Sequence, residues 1–283
     1  MKNCKPLGEV TKTLIPEYFD NIDWSNIWNR KFESGTAFEW AVLAALIHVA
    51  KIHNISVEIP LIEQFNAGEY FILRNEIPLS HGAQAGNSAT ALSSKELKYR
   101  FLFSLVPKAI FRKNDKTYSV FREGCPYHKI MCGQNYMDRT DIIIIPGAPT
   151  ENFPRLNDAG TEVTYSFVYS SEQISGVLRV RNSPLIPCKM RLPRKNLQLL
   201  TTGIIECSVN KSAEVATNQL QKYDSLFTSN NEHPALSLIT GNDLSSLPYD
   251  THQINLETAD ASILFQELLA SAEGILKNFS IID

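Results

Sequence analysis

Apolar residues in this chain gather into short runs separated by long polar stretches, and the spacing inside each run predicts its structure. Ile142-Ile143-Ile144-Ile145, followed by Pro146-Gly147, is a block of consecutive β-branched residues. Such a block makes a poor solvated helix and reads as a strand buried on both faces. Ile204-Ile205 reads as the end of a second buried strand, and the stretch from Ala235 to Gly241 as a third. Helical spacing marks three other segments. Ser34 or Thr36 caps the first, in which Ala37, Trp40, Ala41, Ala44, Ala45 and His48 recur at helical intervals, running to about His53 with Asn54 as its stop. Ser212 opens the second, with Ala213, Ala216, Leu220 and Tyr223 or Leu226 on one face. Thr258 or Asp260 caps the last, from Ala259 to about Phe279, where Ile263, Leu264, Leu268, Leu269, Ala272, Ile275 and Leu276 mark a packing face.

Weaker patterns fill the intervals. Thr164 to Ile186 alternates and reads as a β-hairpin with its turn near Ser170-Ser171-Glu172. Ile55 to Ile62 reads as extended, and Tyr70 to Leu73 as a short strand. Trp24 and Trp28, four residues apart, pack an N-terminal helical segment onto the body. Ser80 to Ser94 and residues 242–256 are polar and read as loops. The expected fold is α/β, a mixed central sheet flanked by helices, in one domain over residues 1–283. Residues 1–54 form its N-terminal helical segment, and residues 161–195 or so carry the hairpin as an insertion.

Three of these apolar elements carry an acid. Glu206 directly follows Ile204-Ile205, with Cys207 and Ser208 behind it, which places a carboxylate at the rim of a sheet. Asp141 stands at the start of the Ile142 strand. Glu39 is the one acid in the otherwise apolar first helix, where composition favours a solvated position. Two strands that each place a carboxylate near an end can hold a hard divalent cation such as Mg²⁺ between them.

In order and element type, these stretches resemble the PD-(D/E)XK, or restriction-endonuclease-like, nuclease superfamily. Its pattern is a helix carrying a Glu, a strand with a metal-binding Asp and a strand ending Glu-x-Lys, followed in exonuclease-like branches by a helix with Gln-x-x-x-Tyr. The matching positions here are Glu39, Asp141, Glu206-Cys207-Ser208 and Gln219-Leu220-Gln221-Lys222-Tyr223, within about half of the chain, from Gly35 to Tyr223, with large unmatched insertions. The resemblance implies a restriction-endonuclease-like fold and Mg²⁺-dependent hydrolysis of DNA phosphodiester bonds, in a restriction or defence setting. Asp141, Glu206 and the backbone carbonyl of Cys207 would hold the metal, and Glu39 would reach it through water. Gln219, Lys222 and Tyr223 would contact the DNA strand. One position departs from the pattern. Ser208 stands where the family usually has Lys, so Lys211 or Lys222 would have to supply the ammonium. The alternative implied by Ser208 is a nucleic-acid-binding protein on the same fold that has lost catalysis.

Composition narrows the partners. With 283 residues, 43% hydrophobic and 20% charged, the chain has the make-up of an ordinary globular protein. A net charge of −3 and a pI near 6.1 argue against a broad nucleic-acid-coating surface but leave room for a local basic groove. Two basic clusters could form one. Lys95, Lys98, Arg100, Lys108 and Arg112 alternate with apolar residues, either as a solvated helix face or as a phosphate-contacting flank. Arg179, Arg181, Arg191, Arg194 and Lys195 lie between the two acid-bearing strands. Cys125, His128 and Cys132, with Cys188 as a distant fourth ligand, are the one zinc-like grouping, and their spacing lacks a nearby second half. Five irregularly spaced Cys indicate reduced thiols rather than a disulfide framework. The N-terminus lacks an apolar signal core, and no apolar run is long enough to span a membrane, so the expectation is a cytoplasmic protein with DNA as partner. A homodimer is one arrangement the sequence allows.

Overall fold

The isoleucine block forms a strand, as its β-branching predicts, and every Ile in it is sealed from solvent. It belongs to a computed structural model that describes residues 9–10, 13, 34–59, 107–122, 140–149, 155–156, 162–169, 172–179, 202–209, 212–227, 235–241, 246–258 and 260–283. The chain divides into two compact units. One joins Met1–Val57 to Thr202–Asp283, and the other is Glu58–Thr201.

Among the described residues, three long helices fall in the first unit. Helix α1 (Ser34–Ile52) is apolar around its whole circumference, and Phe38 through Ile47 are buried without a break. A helix of that composition belongs inside a core, not on its surface. It stops where Asn54 takes a left-handed φ of 57°. There the amides of His53 and Ile55 donate back to the carbonyls of Val49 and Ala50, both at 3.0 Å. Asn tolerates that conformation better than any branched residue, so the stop is written in the sequence.

Strands β9 (Gly203–Ser208), β10 (Ala235–Thr240) and β11 (Asp250–Gln253) run parallel. Gly203 pairs with Ala235 and Ser208 with Thr240, and Ser237 pairs with Asp250 across to β11. Parallel strands need crossover connections, and helix α2 (Ala213–Phe227) lies between β9 and β10 in the chain. Helix α3 (Ala261–Asn278) follows β11, capped by the Asp260 carboxylate, which accepts from the Ser262 amide at 2.8 Å. Because side chains alternate across a strand, Gly203, Ile205 and Cys207 share one face of β9, and Ile204, Glu206 and Ser208 share the other. The C-cap of α3 reaches the first face. The Phe279 ring lies against Gly203, and Gly274 lies against the His252 ring. Leu264, Leu268, Ala272, Ile275 and Leu276 of α3 are buried, whereas Ile263 is exposed. Helix α1 packs on α3, where His48 meets Phe265 edge-on at 6.0 Å between ring centroids.

Two expectations change here. Glu206 does not follow its strand but sits inside it, since β9 continues through Ser208 with all its residues buried. Residues 242–256 are not loop throughout, because Asp250-Thr251-His252-Gln253 forms an edge strand.

The second unit is antiparallel. Strand β1 (Ser56–Glu58) enters it, and β2 (Ala109–Lys113) and β3 (Lys116–Arg122) form a hairpin across Asn114-Asp115, with Asn114 at φ 55° as tight two-residue turns require. Strand β4 (Ile142–Pro146) pairs with β3, Ile144 opposite Val120. Strand β2 corrects the reading of the basic stretch around Lys108 as a helix face: its end is a buried strand. Gly147, at φ 99°, ends β4, and its carbonyl accepts from Ser119 Oγ at 2.8 Å. A smaller sheet contains β5 (Ala148–Pro149), β6 (Arg155–Leu156), β7 (Glu162–Tyr169) and β8 (Glu172–Arg179). Strands β7 and β8 are the expected hairpin, with Tyr169 opposite Glu172 across Ser170-Ser171. Parallel and antiparallel pairs thus both occur, with helices packed on the parallel strands, which is the α/β organisation the apolar runs predict.

Candidate functional site

Carboxylates are seldom fully buried unless something compensates their charge. All three acids singled out from the sequence are buried, Glu39 at 2% exposure, Asp141 at 5% and Glu206 at 0%. Glu39 therefore corrects the composition-based expectation of a solvated position. It falls in the turn of α1 where neighbours on every side are apolar and enclosed. Asp141 directly precedes β4, and Thr140 beside it is buried as well. Glu206 lies mid-strand in β9, so its place in a sheet interior is fixed by the backbone ladder to β10, where it pairs with Leu238. Ser208, two residues on, shares the face of Glu206 and is buried against solvent, as is the Cys207 thiol on the opposite face.

Helix α2 covers the Glu206 face. Ala216, Leu220 and Tyr223 form its buried stripe, as the helical spacing predicts. Tyr223 is wholly enclosed, and its hydroxyl donates to Glu206 Oε2 at 3.3 Å. One helical turn back, half-buried Gln219 donates from Nε2 to the Tyr223 hydroxyl oxygen at 3.0 Å. The tyrosine has one hydrogen to give, and the amide donation to its oxygen leaves that hydrogen for the carboxylate. Gln219, Tyr223 and Glu206 thus form one directional chain, and the structure brings these three sequence-selected residues together.

In the second unit the structure adds Lys108, enclosed at 1% exposure immediately before β2. Extending the pairing registers puts Lys108 in line with Phe121 and Ile143, and Asp141 lies two residues before Ile143. Lys108 and Asp141 therefore fall on the same face, at the same end, of the antiparallel strands. The sequence offered Lys108 either to a solvated helix face or to a phosphate-contacting flank. Burial removes it from any such surface, whereas Arg112 is exposed and pairs with Glu58 at 2.7 Å. Of the other sequence candidates, Lys222 lies on α2 and Arg179 on β8. Lys211, Arg181, Arg191, Arg194, Lys195 and the Cys125, His128, Cys132 and Cys188 set lie outside the described residues.

A further polar cluster escaped the sequence reading. Asp250 Oδ2 accepts from the buried Ser237 hydroxyl, from Asn278 Nδ2 at 3.1 Å and lies 3.1 Å from His252 Nε2. Burial pushes the Asp250 carboxyl up, but the hydrogen bonds from His252, Ser237 and Asn278 outweigh it and hold the group below its ordinary range. The three residue types suggest a nucleophile relay, yet the serine proton is directed to the acid and not to a base, so the hydroxyl is not activated. The cluster fastens α3 to β10 and β11. Its only sequence signal is Asp-x-His in a stretch without apolar residues.

Among the described residues, no three His, Cys, Asp or Glu side chains converge closely enough to hold a metal ion. No helix among the described residues is long and apolar enough to cross a membrane. Comparison with known protein families, characterised proteins and solved structures gives no match to this chain.

Proposed function

We propose that this protein is a metal-dependent nuclease of restriction-endonuclease-like architecture that hydrolyses DNA phosphodiester bonds, with Asp141 and Glu206 as carboxylate ligands of Mg²⁺. The observation that carries the reading is the burial of both acids, Asp141 immediately before β4 at 5% exposure and Glu206 within β9 at 0%. Burying a carboxylate is costly, and a divalent cation is one of the few compensations that also supplies chemistry. When bound, Mg²⁺ supplies an activated water and neutralises charge on the phosphate. The chain's own residues do the rest. Asp141 and Glu206 would offer oxygen donors to the cation, with the Cys207 carbonyl as a third. Gln219 and Tyr223 orient Glu206. An ammonium, from Lys211 or Lys222 as the sequence suggests, or from the buried Lys108, offsets charge that develops on the phosphate.

Ser208 favours a second reading. It occupies the position of the family's lysine, is buried beside Glu206 and carries no charge. On that reading the protein binds nucleic acid without cutting it. One assay separates the two. Plasmid, single-stranded DNA and RNA are incubated with the protein in Mg²⁺ or in EDTA. Mg²⁺-dependent cleavage of DNA that disappears in Asp141→Asn and Glu206→Gln supports the nuclease. Unchanged cleavage in both variants refutes the assignment of these acids, and tight binding without cleavage selects the second reading.

A further inference from the structure

The sequence pattern assigned Gln219 and Tyr223 to the DNA strand, but the geometry points elsewhere. Tyr223 has no exposed surface, and its hydroxyl reaches a carboxylate. We infer that Tyr223 and Gln219 are positioning residues that lock the Glu206 carboxylate in one orientation for a divalent cation, and that neither acts by gripping DNA. The inference rests on the proposed role of Glu206 as a metal ligand and concerns how that ligand is set.

The argument begins with the strand. The backbone ladder between β9 and β10 fixes the Glu206 Cα, with Glu206 opposite Leu238, but leaves the side-chain torsions free. A glutamate has three of them, and its terminal carboxylate rotates broadly. Tyr223 removes that freedom. Its ring is packed in the α2 stripe with Ala216 and Leu220, and its hydroxyl meets Oε2 at 3.3 Å. That separation is longer than the roughly 2.8 Å optimum for an O–H···O bond, so the contact selects a rotamer more than it adds energy. Gln219, a turn earlier on the same side of the helix, then fixes the tyrosine hydrogen by donating to its oxygen at 3.0 Å. A ligand aimed in this way binds an ion without first losing side-chain entropy. Partners that orient metal ligands typically account for about ten- to one-hundred-fold in metal affinity.

The spacing of the pair supports this division of labour. Gln219 and Tyr223 stand four residues apart, which is what a relay along one helix face requires. Direct DNA contact by both would need both polar ends turned to the strand, and the Tyr223 hydroxyl is already held between Gln219 and Glu206.

The test measures Mn²⁺ binding directly, by calorimetry or electron paramagnetic resonance, on the full chain without DNA. Tyr223→Phe keeps the ring and deletes only the hydroxyl. It should weaken Mn²⁺ binding roughly ten-fold or more. Gln219→Leu, at a half-buried position tolerant of change, should weaken it less and in the same direction. In Mg²⁺ titrations of cleavage the half-saturating metal concentration should rise in Tyr223→Phe by a similar factor, with a smaller change in the rate at saturating metal. Duplex affinity in Ca²⁺ should stay within about two-fold for both variants, since neither residue is taken to contribute a phosphate contact. Wild-type Mn²⁺ affinity in both variants overturns the inference while leaving Glu206 as a ligand. A matching loss of duplex affinity restores the DNA-contact role and overturns it equally. Absence of Mn²⁺ binding in the wild type, unchanged in Glu206→Gln, removes the metal-site reading itself and the inference with it.

Discussion

Gly203 opens the strand that carries Glu206, and the structure allows the cost of filling it to be worked out. A Cβ built there would lie 2.2, 2.3 and 2.5 Å from three atoms of the Phe279 ring. Carbon atoms attract best at about 3.5–4.0 Å, so the ring must retreat by roughly 1 Å or more. Phe279 is 4% exposed and caps the end of α3, where its amide donates to the Ile275 carbonyl at 3.0 Å. It is a poor candidate for graceful displacement. Overpacking of a tight core costs about 1–3 kcal/mol, and expelling the ring altogether would forfeit its burial, about 1.5–3 kcal/mol. Gly203→Ala should therefore destabilise the protein by about 2–3 kcal/mol, a fall of roughly 4–12 °C in Tm for a protein of this size. Phe279→Leu, which shortens the obstructing side chain, should recover part of the loss, so the double variant should be more stable than the sum of the singles by about 1 kcal/mol or more. Thermal and urea denaturation of the four proteins measures this. A Gly203→Ala protein within 0.5 kcal/mol of wild type, with additive behaviour in the double variant, would refute the packing of the Phe279 ring on Gly203 described above.

Other outcomes follow from the clusters. The Asp250 carboxyl sits below its ordinary range in the folded state. Its contribution to stability should accordingly be present above the unfolded-state pKa and be lost as pH falls through the lower folded value. Asp250→Asn should flatten the acid limb of stability against pH, and an unchanged limb would remove the cluster's role. On the proposed reading, Lys108→Met should lower Mg²⁺-dependent cleavage at least ten-fold with duplex binding in Ca²⁺ unchanged. Full cleavage activity in that variant would assign Lys108 to packing alone.

How far the sequence could be read depended on how local the physics was. Runs such as Ile142 to Ile145 and the stripe of Ala216, Leu220 and Tyr223 announce themselves because burial and periodicity coincide within a few residues. Asn54 is legible as a helix stop because its left-handed backbone is a property of the residue. The edge strand Asp250 to Gln253 was invisible because its pairing with β10 is made by backbone groups, which have no sequence signature, and its side chains are polar and half exposed. Lys108 was misplaced for a similar reason. Its charge pointed to a surface, whereas its position beside β2 put it in the interior. The candidate site shows both cases. Burial of Asp141 and Glu206 follows from the apolar strands beside them, whereas the link from Tyr223 to Glu206 depends on how α2 crosses β9, which no spacing rule contains.

Helix α1 raises a question of timing. It is apolar on all sides and finds cover against α3 and β9, yet α1 ends at Ile52 and α3 begins only at Ala261. Synthesis at about 5–20 residues per second leaves an interval of roughly 10–40 s between the two. Until β9 is made, this apolar helix has neither of those native surfaces to rest on, and its α3 side waits through the whole interval. Its protection must come from transient burial in non-native contacts or from a chaperone. Production of the protein should be limited by that exposure rather than by the stability of the finished fold.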